Sequence, residues 1–166
     1  MWMNTGPPVD GRQKDSLAQR FWAHGRLLAV NWEPLILAAQ SARQRAYAPY
    51  SGFMVGAALE SESGEVYAGC NIENRSFGGT VCAERVAMGT AVASGAERIR
   101  ALVVITDTSP PAAPCGLCLQ VLTEFAGPDL PVLLMNTAGD RQQFRLADLH
   151  PHPFQLPPQG LGRRSS

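Results

Sequence analysis

Residues 82–85 read Cys-Ala-Glu-Arg, and residues 114–118 read Pro-Cys-Gly-Leu-Cys. Together the two stretches contribute the carboxylate of Glu84 and three thiols, which belong to Cys82, Cys115 and Cys118. Three protein ligands with one open position are typical of a catalytic zinc site, whereas a structural zinc site usually has four. The two stretches therefore predict a Zn²⁺ centre beside which Glu84 can move a proton.

Both cysteine stretches are predicted to open helices. Thr80 can cap a helix over about residues 81–94, which Gly95 ends, and a second helix runs from Cys115 to Phe125. The partial positive charge and free N–H groups of a helix N-terminus lower the pKa of a thiol. Two such N-termini that meet at one point would gather three thiolates, which are ligands that Zn²⁺ prefers.

Arg85 follows Glu84 directly in the chain. Three thiolates and one Zn²⁺ sum to a single negative charge, which weakens the pull of the metal on water. A guanidinium that donates hydrogen bonds to the thiolate sulfurs offsets this charge. We therefore predict that Arg85 supports the metal centre from outside its ligand set.

The remaining pattern alternates helices and strands in the order αββαβαββ. Asn31 can cap a first helix that Pro49 ends, and a turn over residues 61–64 joins two strands into a hairpin. This order predicts an α/β layer fold in which helices cover a mixed sheet. The predicted strands cover residues 53–60, 65–72, 101–106, 132–135 and 142–146.

The length of 166 residues suits one domain with a sizeable core. We expect residues 1–31 to be an N-terminal extension that is partly helical or disordered. Residues 32–156 form the predicted catalytic domain. Residues 157–166 are rich in Pro, Gly, Ser and Arg and are predicted to be a disordered tail.

Charge and hydropathy exclude several classes of partner. The chain has 14 basic and 14 acidic residues and no block of like charge, which argues against a nucleic-acid polymer but not against a neutral nucleoside. It has no apolar run long enough to span a membrane. Residues 1–15 contain no apolar signal segment, so we expect a cytoplasmic protein whose four cysteines stay reduced.

From about residue 35 to residue 154 the chain resembles the cytidine deaminase family, in particular its small, three-cysteine, homotetrameric type. The resemblance implies a three-layer α/β/α sandwich with a mixed central sheet, and a homotetramer. It also implies a zinc-dependent hydrolase that converts cytidine and deoxycytidine into uridine and deoxyuridine in pyrimidine salvage. The motifs that carry it are the two cysteine stretches, Tyr-Ala-Pro-Tyr-Ser at 47–51, Phe53 with Val-Gly-Ala-Ala-Leu at 55–59, Gly-Cys-Asn-Ile-Glu-Asn at 69–74 and Gln-Val-Leu at 120–122.

The resemblance also implies a role for individual residues. Glu84 shuttles protons, and the zinc ligands are Cys82, Cys115 and Cys118. Asn71 and Glu73 bind the ribose hydroxyls. The side chain of Phe53 and the backbone of Ala83 hold the pyrimidine. Phe154 matches a C-terminal aromatic residue that enters the pocket of a neighbouring subunit.

Two positions depart from the usual pattern of the family. Leu119 stands where Arg usually follows the last cysteine, and Phe77 stands where Tyr is frequent. The stretches 78–81 and 88–90 are reminiscent of blasticidin S deaminase, so a modified cytidine or a cytosine-nucleoside antibiotic is an alternative substrate. Residues 71–74 and Arg85 favour a plain nucleoside deaminase.

Other interpretations of the same residues stay open. Cys115 and Cys118 could be a redox pair, and Cys70 as a fourth ligand would give a closed, non-catalytic zinc site. We favour a packed thiol for Cys70. Asn71 and Glu73 could instead bond to backbone, Phe53 could pack in the core, and Phe154 could anchor its own subunit.

Overall fold

A computed structural model describes residues 30–155. The predicted N-terminal helix and the C-terminal tail lie outside the described residues, so the division into domains stays a prediction. No helix within residues 30–155 is long and apolar enough to cross a membrane. The elements are α1 (Trp32–Arg43), β1 (Gly56–Ser61), β2 (Val66–Cys70), a 3-10 helix (Phe77–Gly79), α2 (Ala83–Ala93), β3 (Ile99–Thr106), α3 (Gly116–Phe125), β4 (Pro131–Asn136), β5 (Arg141–Arg145) and α4 (Leu146–Leu149).

The five strands form one mixed sheet in the order β2-β1-β3-β4-β5. Only β3 and β4 run parallel, and α3 makes the crossover between them, whereas the other neighbours are antiparallel. The predicted mixed α/β sheet is confirmed. The sequence pattern missed the 3-10 helix and α4, which are three and four residues long and too short to show a period.

Helices cover both faces of this sheet. A Cβ atom at Gly56 would lie 2.0 Å from Ala39 O in α1, and one at Gly69 would lie 2.3 Å from Ala87 N in α2. Gly69 pairs with Ala57, the neighbour of Gly56, so the two glycines face opposite sides of the pleat. Helices α1 and α2 therefore lie on opposite faces, which gives the three layers.

Helix α3 lies on the same face as α2. Its buried side chains Leu119 and Leu122 share one apolar cluster with Ala87 and Met88 of α2. Alternate residues of the central strands complete this cluster, as their period of two requires. They are Ala57, Leu59, Leu102, Val104, Val132 and Leu134.

The predicted cap at Thr80 is wrong, because α2 begins three residues later. Val81 pairs with Ile72 through two backbone hydrogen bonds of 2.9 and 3.0 Å, which keeps the chain extended up to this point. Cys82 is the N-cap residue, with φ −71° and ψ 154°, and Ala83 is the first helical residue. The local pairing with Ile72 thus moves the helix start to the cysteine itself.

Side-chain and backbone bonds also shorten two other predicted elements. Helix α1 ends at Arg43 and not near Pro49, because the backbone of Tyr47 pairs with that of Asn71 and Glu73. Strand β1 begins at Gly56 and not at residue 53. The side chain of Asn71 bonds to the carbonyl of Phe53 and the N–H of Val55, so these two backbone groups are not free to pair with a neighbouring strand.

We expect Gly69→Ala to lower the free energy of unfolding by about 1–3 kcal/mol, because the new Cβ would force α2 away from β2. The matched control is Gly89→Ala in α2, where nothing outside the helix backbone lies within 4 Å of the new Cβ. This control should be neutral or stabilise by up to about 1 kcal/mol through helix propensity. Urea denaturation of the zinc-saturated proteins checks both, and equal stability of the two variants contradicts the packing argument.

Candidate active site

The structure brings the three predicted thiols together at the N-termini of α2 and α3. Cys82 and Cys115 are the N-cap residues of the two helices, and Cys118 lies in the first turn of α3. Cys115 Sγ is 3.9 Å from Cys82 Sγ and 3.5 Å from Cys118 Sγ, and all three sulfurs lie within 4.8 Å of one another. Two helix ends that are far apart in sequence therefore share one sulfur cluster.

The sulfur cluster fits a zinc ion with an open position. Tetrahedral ligands at a Zn–S distance of about 2.3 Å lie about 3.8 Å apart, close to the two measured separations. Among residues 30–155 this metal-binding cluster holds three cysteines and does not include Cys70, at the end of β2. All four cysteines are free thiols, and no disulfide joins Cys115 to Cys118 in the structure.

The cluster shifts the pKa values of its own thiols. The pKa of Cys82 is lowered to about 5, chiefly by a hydrogen bond from Cys118 and also by the hydrogen bond and the charge of Arg85. The same hydrogen bond, together with burial, raises the pKa of Cys118 well above that of an ordinary thiol. In the absence of metal, Cys82 is thus the thiolate of the group and Cys118 keeps its proton.

Arg85 contacts the sulfur cluster from the side. Its Nη2 donates to Thr80 O at 3.0 Å and lies 3.8 Å from Cys82 Sγ. Leu119, the departure from the family pattern, is only 6% exposed and packs in the apolar cluster between α2 and the sheet. The guanidinium beside Cys82 Sγ therefore comes from Arg85.

Glu84 is buried beside the sulfurs, with only 5% of its surface exposed. Burial is the main cause that raises the pKa of its carboxyl group, and the negative charge of Cys82 raises it further. A carboxyl group whose pKa is moved toward neutrality can both accept and release a proton at neutral pH. The position and the electrostatics suit a proton carrier.

A cavity of about 220 Å³ opens onto Glu84. Its lining combines apolar side chains with a few polar groups, as in most small-molecule sites. Cys118, Arg85 and Phe154 are not among its lining residues within the described chain. The predicted site residues that line it are Phe53, Asn71, Glu73, Cys82, Ala83, Glu84 and Cys115.

The side chain of Asn71 ties the cavity wall to the neighbouring backbone. It accepts a hydrogen bond of 2.8 Å from Val55 N and donates one of 2.8 Å to Phe53 O. The backbone role considered as an alternative is therefore present. One N–H and one lone pair of the amide stay free of these two bonds, and the residue lines the cavity.

Glu73 is held in the same way by the loop that precedes β1. Its carboxylate accepts hydrogen bonds from the Ser51 hydroxyl and from Tyr50 N, the latter at 2.8 Å. These bonds, that of Ser51 first, lower the pKa of the carboxyl group. Glu73 is therefore an ionised acceptor at the cavity, and carboxylates are strong acceptors for hydroxyl groups.

Sequence reasoning missed several residues of the cavity wall. Thr106, the last residue of β3, is 1% exposed, and its hydroxyl accepts a hydrogen bond of 3.3 Å from Ala112 N. This bond fixes the loop that leads to Cys115. The sequence signal that could have identified Thr106 is a polar residue at the end of a buried strand. The other missed residues are Ser51, Val55, Thr80, Val104, Ala112 and Ala113.

Phe154 lies apart from the cavity of its own chain. Its side chain is 69% exposed, which is unusual for a phenylalanine. Its backbone, in contrast, is fixed to α3 by two hydrogen bonds: Phe154 O accepts one from Gln120 Nε2, and Phe154 N donates the other to Gln120 Oε1. The structure therefore neither packs Phe154 in the core nor brings it to the candidate site of the same chain.

A three-layer fold with a mixed sheet, three thiols at two helix N-termini and a buried glutamate at one cavity defines a zinc-dependent deaminase. The family model for the "Cytidine and deoxycytidylate deaminase zinc-binding region" matches residues 30–134, which contain all three thiols. The chain belongs to the cytidine deaminase family.

Named relatives agree with this assignment. A "Cytidine deaminase" of Sporosarcina psychrophila is 48% identical over 74% of this chain and 90% of its own length. Another from Halalkalibacterium halodurans is 46% identical over 72% and 91%. The crystal structure of cytidine deaminase from Burkholderia pseudomallei superposes with a TM-score of 0.72 and 46% identity, covering 75% of this chain and 100% of the other. The protein is therefore an enzyme of this family, and Zn²⁺ is its cofactor.

In the zinc-free, reduced protein we expect the ultraviolet absorbance of a thiolate at neutral pH, lost as the pH falls through about 5. The sign follows from the lowered pKa of Cys82, whose deprotonated form persists above that value. Arg85→Gln removes a hydrogen-bond donor and a positive charge, so the midpoint should move upward. Arg85→Lys keeps the charge and should move it less. An unchanged midpoint in Arg85→Gln contradicts the sulfur contact.

Proposed function

We propose that this enzyme catalyses the hydrolytic deamination of cytidine and deoxycytidine to uridine and deoxyuridine, with release of ammonia, as a step of pyrimidine salvage. The observation that carries the proposal is the buried Glu84 carboxyl group, which faces a cavity beside three clustered thiols. The family assignment and the names of the similar relatives support the same reaction. Those names favour a plain nucleoside over an antibiotic substrate or a non-catalytic zinc module.

Cys82, Cys115 and Cys118 are the proposed zinc ligands. Their sulfur separations suit tetrahedral coordination, and the lowered pKa of Cys82 favours the thiolate that a metal needs. When bound, zinc supplies a Lewis acid that turns water into a strong nucleophile at neutral pH. Arg85 offsets the negative charge of the ligand set through its contact with Cys82.

Glu84 is the proposed proton carrier. It takes a proton from the attacking water and gives it to N3 of the pyrimidine ring while the new C–O bond forms at C4. It then passes a second water proton to the amino group, the C4–N bond breaks, and ammonia leaves. Burial keeps bulk water away from the carboxyl group, so the proton stays on the path between water and base.

The polar wall of the cavity is the proposed nucleoside site. Glu73 and Asn71 each retain free hydrogen-bonding capacity and bind the ribose hydroxyls. The half-buried side chain of Phe53 packs against the pyrimidine ring, and the backbone at Ala83 bonds to its polar edge. The short bonds that anchor Asn71 and Glu73 to the loop hold these groups in place before substrate arrives.

We further propose a homotetramer in the cytoplasm. Two large aromatic side chains are exposed, Phe77 by 78% and Tyr50 by 48%, and their rings meet edge to face at 6.2 Å. Phe154 is exposed as well, and we propose that it enters the nucleoside site of a neighbouring subunit. Four free cysteines suit a reducing compartment.

Glu84→Gln should reduce kcat on cytidine by about a hundredfold or more, because the amide keeps the shape of the side chain but cannot carry the proton. Ammonia release from cytidine measures the loss, with zinc content determined on the same sample. The variant should retain its zinc, since Glu84 is not a proposed ligand. Full activity of this variant overturns the mechanism, and faster release from blasticidin S than from cytidine by the parent enzyme overturns the substrate.

Cys118→Ser should abolish tight zinc binding, because serine is nearly isosteric but a poor zinc ligand at neutral pH. Cys70→Ser is the matched control, since Cys70 lies outside the sulfur cluster. Metal analysis after dialysis against a chelator should find zinc in the control and in the parent protein only. Loss of zinc from Cys70→Ser indicates a fourth sulfur ligand and contradicts the open site.

A further inference from the structure

Gln120, in the second turn of α3, uses the full hydrogen-bonding capacity of its side-chain amide. Its Oε1 accepts from Phe154 N at 2.8 Å and lies 3.2 Å from His150 Nε2. Its Nε2 donates to Phe154 O at 3.0 Å and to Thr123 Oγ1 at 3.3 Å. An amide has two acceptor lone pairs and two N–H donors, and with His150 in the tautomer that carries its proton on Nε2 each one has a partner.

This network fixes the orientation of the amide. Exchanging its oxygen and nitrogen would set a donor against Phe154 N and an acceptor against Phe154 O, and both contacts would become repulsive. Thr123 adds a support from the same helix, because its hydroxyl also donates to Gln120 O at 2.7 Å. The side chain of Gln120 is therefore held in one orientation and is not a mobile surface side chain.

Gln120 holds the backbone of Phe154 and leaves its ring in solvent. Both the N–H and the C=O of Phe154 bond to one side chain, as they would to a neighbouring strand, yet the residue is 69% exposed. Chain segments near a terminus are poorly ordered unless they are tied down. Fixing the backbone while the apolar ring remains uncovered positions the ring for a contact outside its own chain.

The same helix carries two of the three proposed metal ligands. Cys118 stands two residues before Gln120, and Cys115 caps the helix. Helix α3 therefore fixes the position of Phe154 relative to the two cysteines at its N-terminal end. A shift of this helix would move the sulfurs and the ring together.

We propose that Gln120 is a positioning residue for catalysis: it sets Phe154 at a fixed place relative to the zinc-binding helix, so that the ring closes the nucleoside pocket of a second copy of the chain. The inference rests on the proposed function for the identity of the pocket and its substrate. It adds a residue that touches no substrate and acts only through Phe154.

The test combines kinetics with amide exchange on the zinc-loaded enzyme. Gln120→Met keeps the length and the helix propensity of the side chain but makes none of the four hydrogen bonds. We expect KM for cytidine to rise about tenfold, with kcat changed by less than about threefold, as for the loss of one or two hydrogen bonds that position a binding group. Hydrogen exchange at Phe154 N should become fast, while the amides of β3 stay protected.

Two comparisons separate positioning from a general structural effect. Gln142→Met makes the same chemical change on the exposed edge strand β5 and should leave both kinetics and exchange unchanged. In a Phe154→Ala background, Gln120→Met should change KM by less than about twofold, because the group it positions is gone. Gln120→Glu keeps the acceptor for Phe154 N. It should therefore retain part of the protection of this amide against hydrogen exchange, which Gln120→Met loses.

Unchanged exchange at Phe154 in Gln120→Met overturns the inference. So does a KM penalty that persists at full size in the Phe154→Ala background, because Gln120 would then act by another route. A parent enzyme that releases no ammonia from cytidine overturns the proposed function instead. Amide exchange still decides in that case whether Gln120 holds Phe154.

Discussion

The structure depends on the meeting of two helix N-termini at one point. Cys82 and Cys115 cap α2 and α3, and their sulfurs are 3.9 Å apart, although 33 positions separate them in the chain. Both helices must lie on the same face of the sheet and begin at the same edge for this to occur. The parallel pairing of β3 with β4 carries α3 across that face, and the missing side chain at Gly69 lets α2 rest directly on β2. Backbone packing that is far from the chemistry thus decides whether the sulfurs can share a metal.

The sulfur cluster concentrates negative charge, and three features of the chain reduce its cost. The helix N-termini direct partial positive charge at the sulfurs, and Arg85 approaches Cys82 to 3.8 Å. The third response is protonation, since burial and the nearby thiolate both raise the pKa of Glu84. Burial is the larger cause, and the thiolate charge acts in the same direction, so both favour a carboxyl group that can hold a proton. Cys82 and Glu84 lie close together because both stand at the start of α2.

Local patterns predicted the order of the main helices and strands, because caps, turns and alternation depend on neighbouring positions, and the two cysteine stretches predicted which three thiols meet. What they missed came from contacts between distant residues. The start of α2 depends on the pairing of Val81 with Ile72, and the start of β1 depends on the side chain of Asn71. Neither bond is visible in a window of local sequence. The wall residue Thr106 differs, because its place at the end of a buried strand was a local signal, and only its bond to Ala112 N had to be seen in the folded loop.

Helix α3 shows how one short element can meet several demands at once. A period of 3.6 residues separates its faces, so Cys118 reaches the sulfurs, Leu119 and Leu122 enter the core, and Gln120 turns to the C-terminal segment. The apolar residue at 119 follows from this division, because that position is 6% exposed and packs in the apolar cluster. A charged residue there would have to extend out of the core to reach the sulfurs. With leucine at 119 the contact with the sulfurs falls to Arg85, and α3 is free to join the metal centre, the core and the segment that presents Phe154.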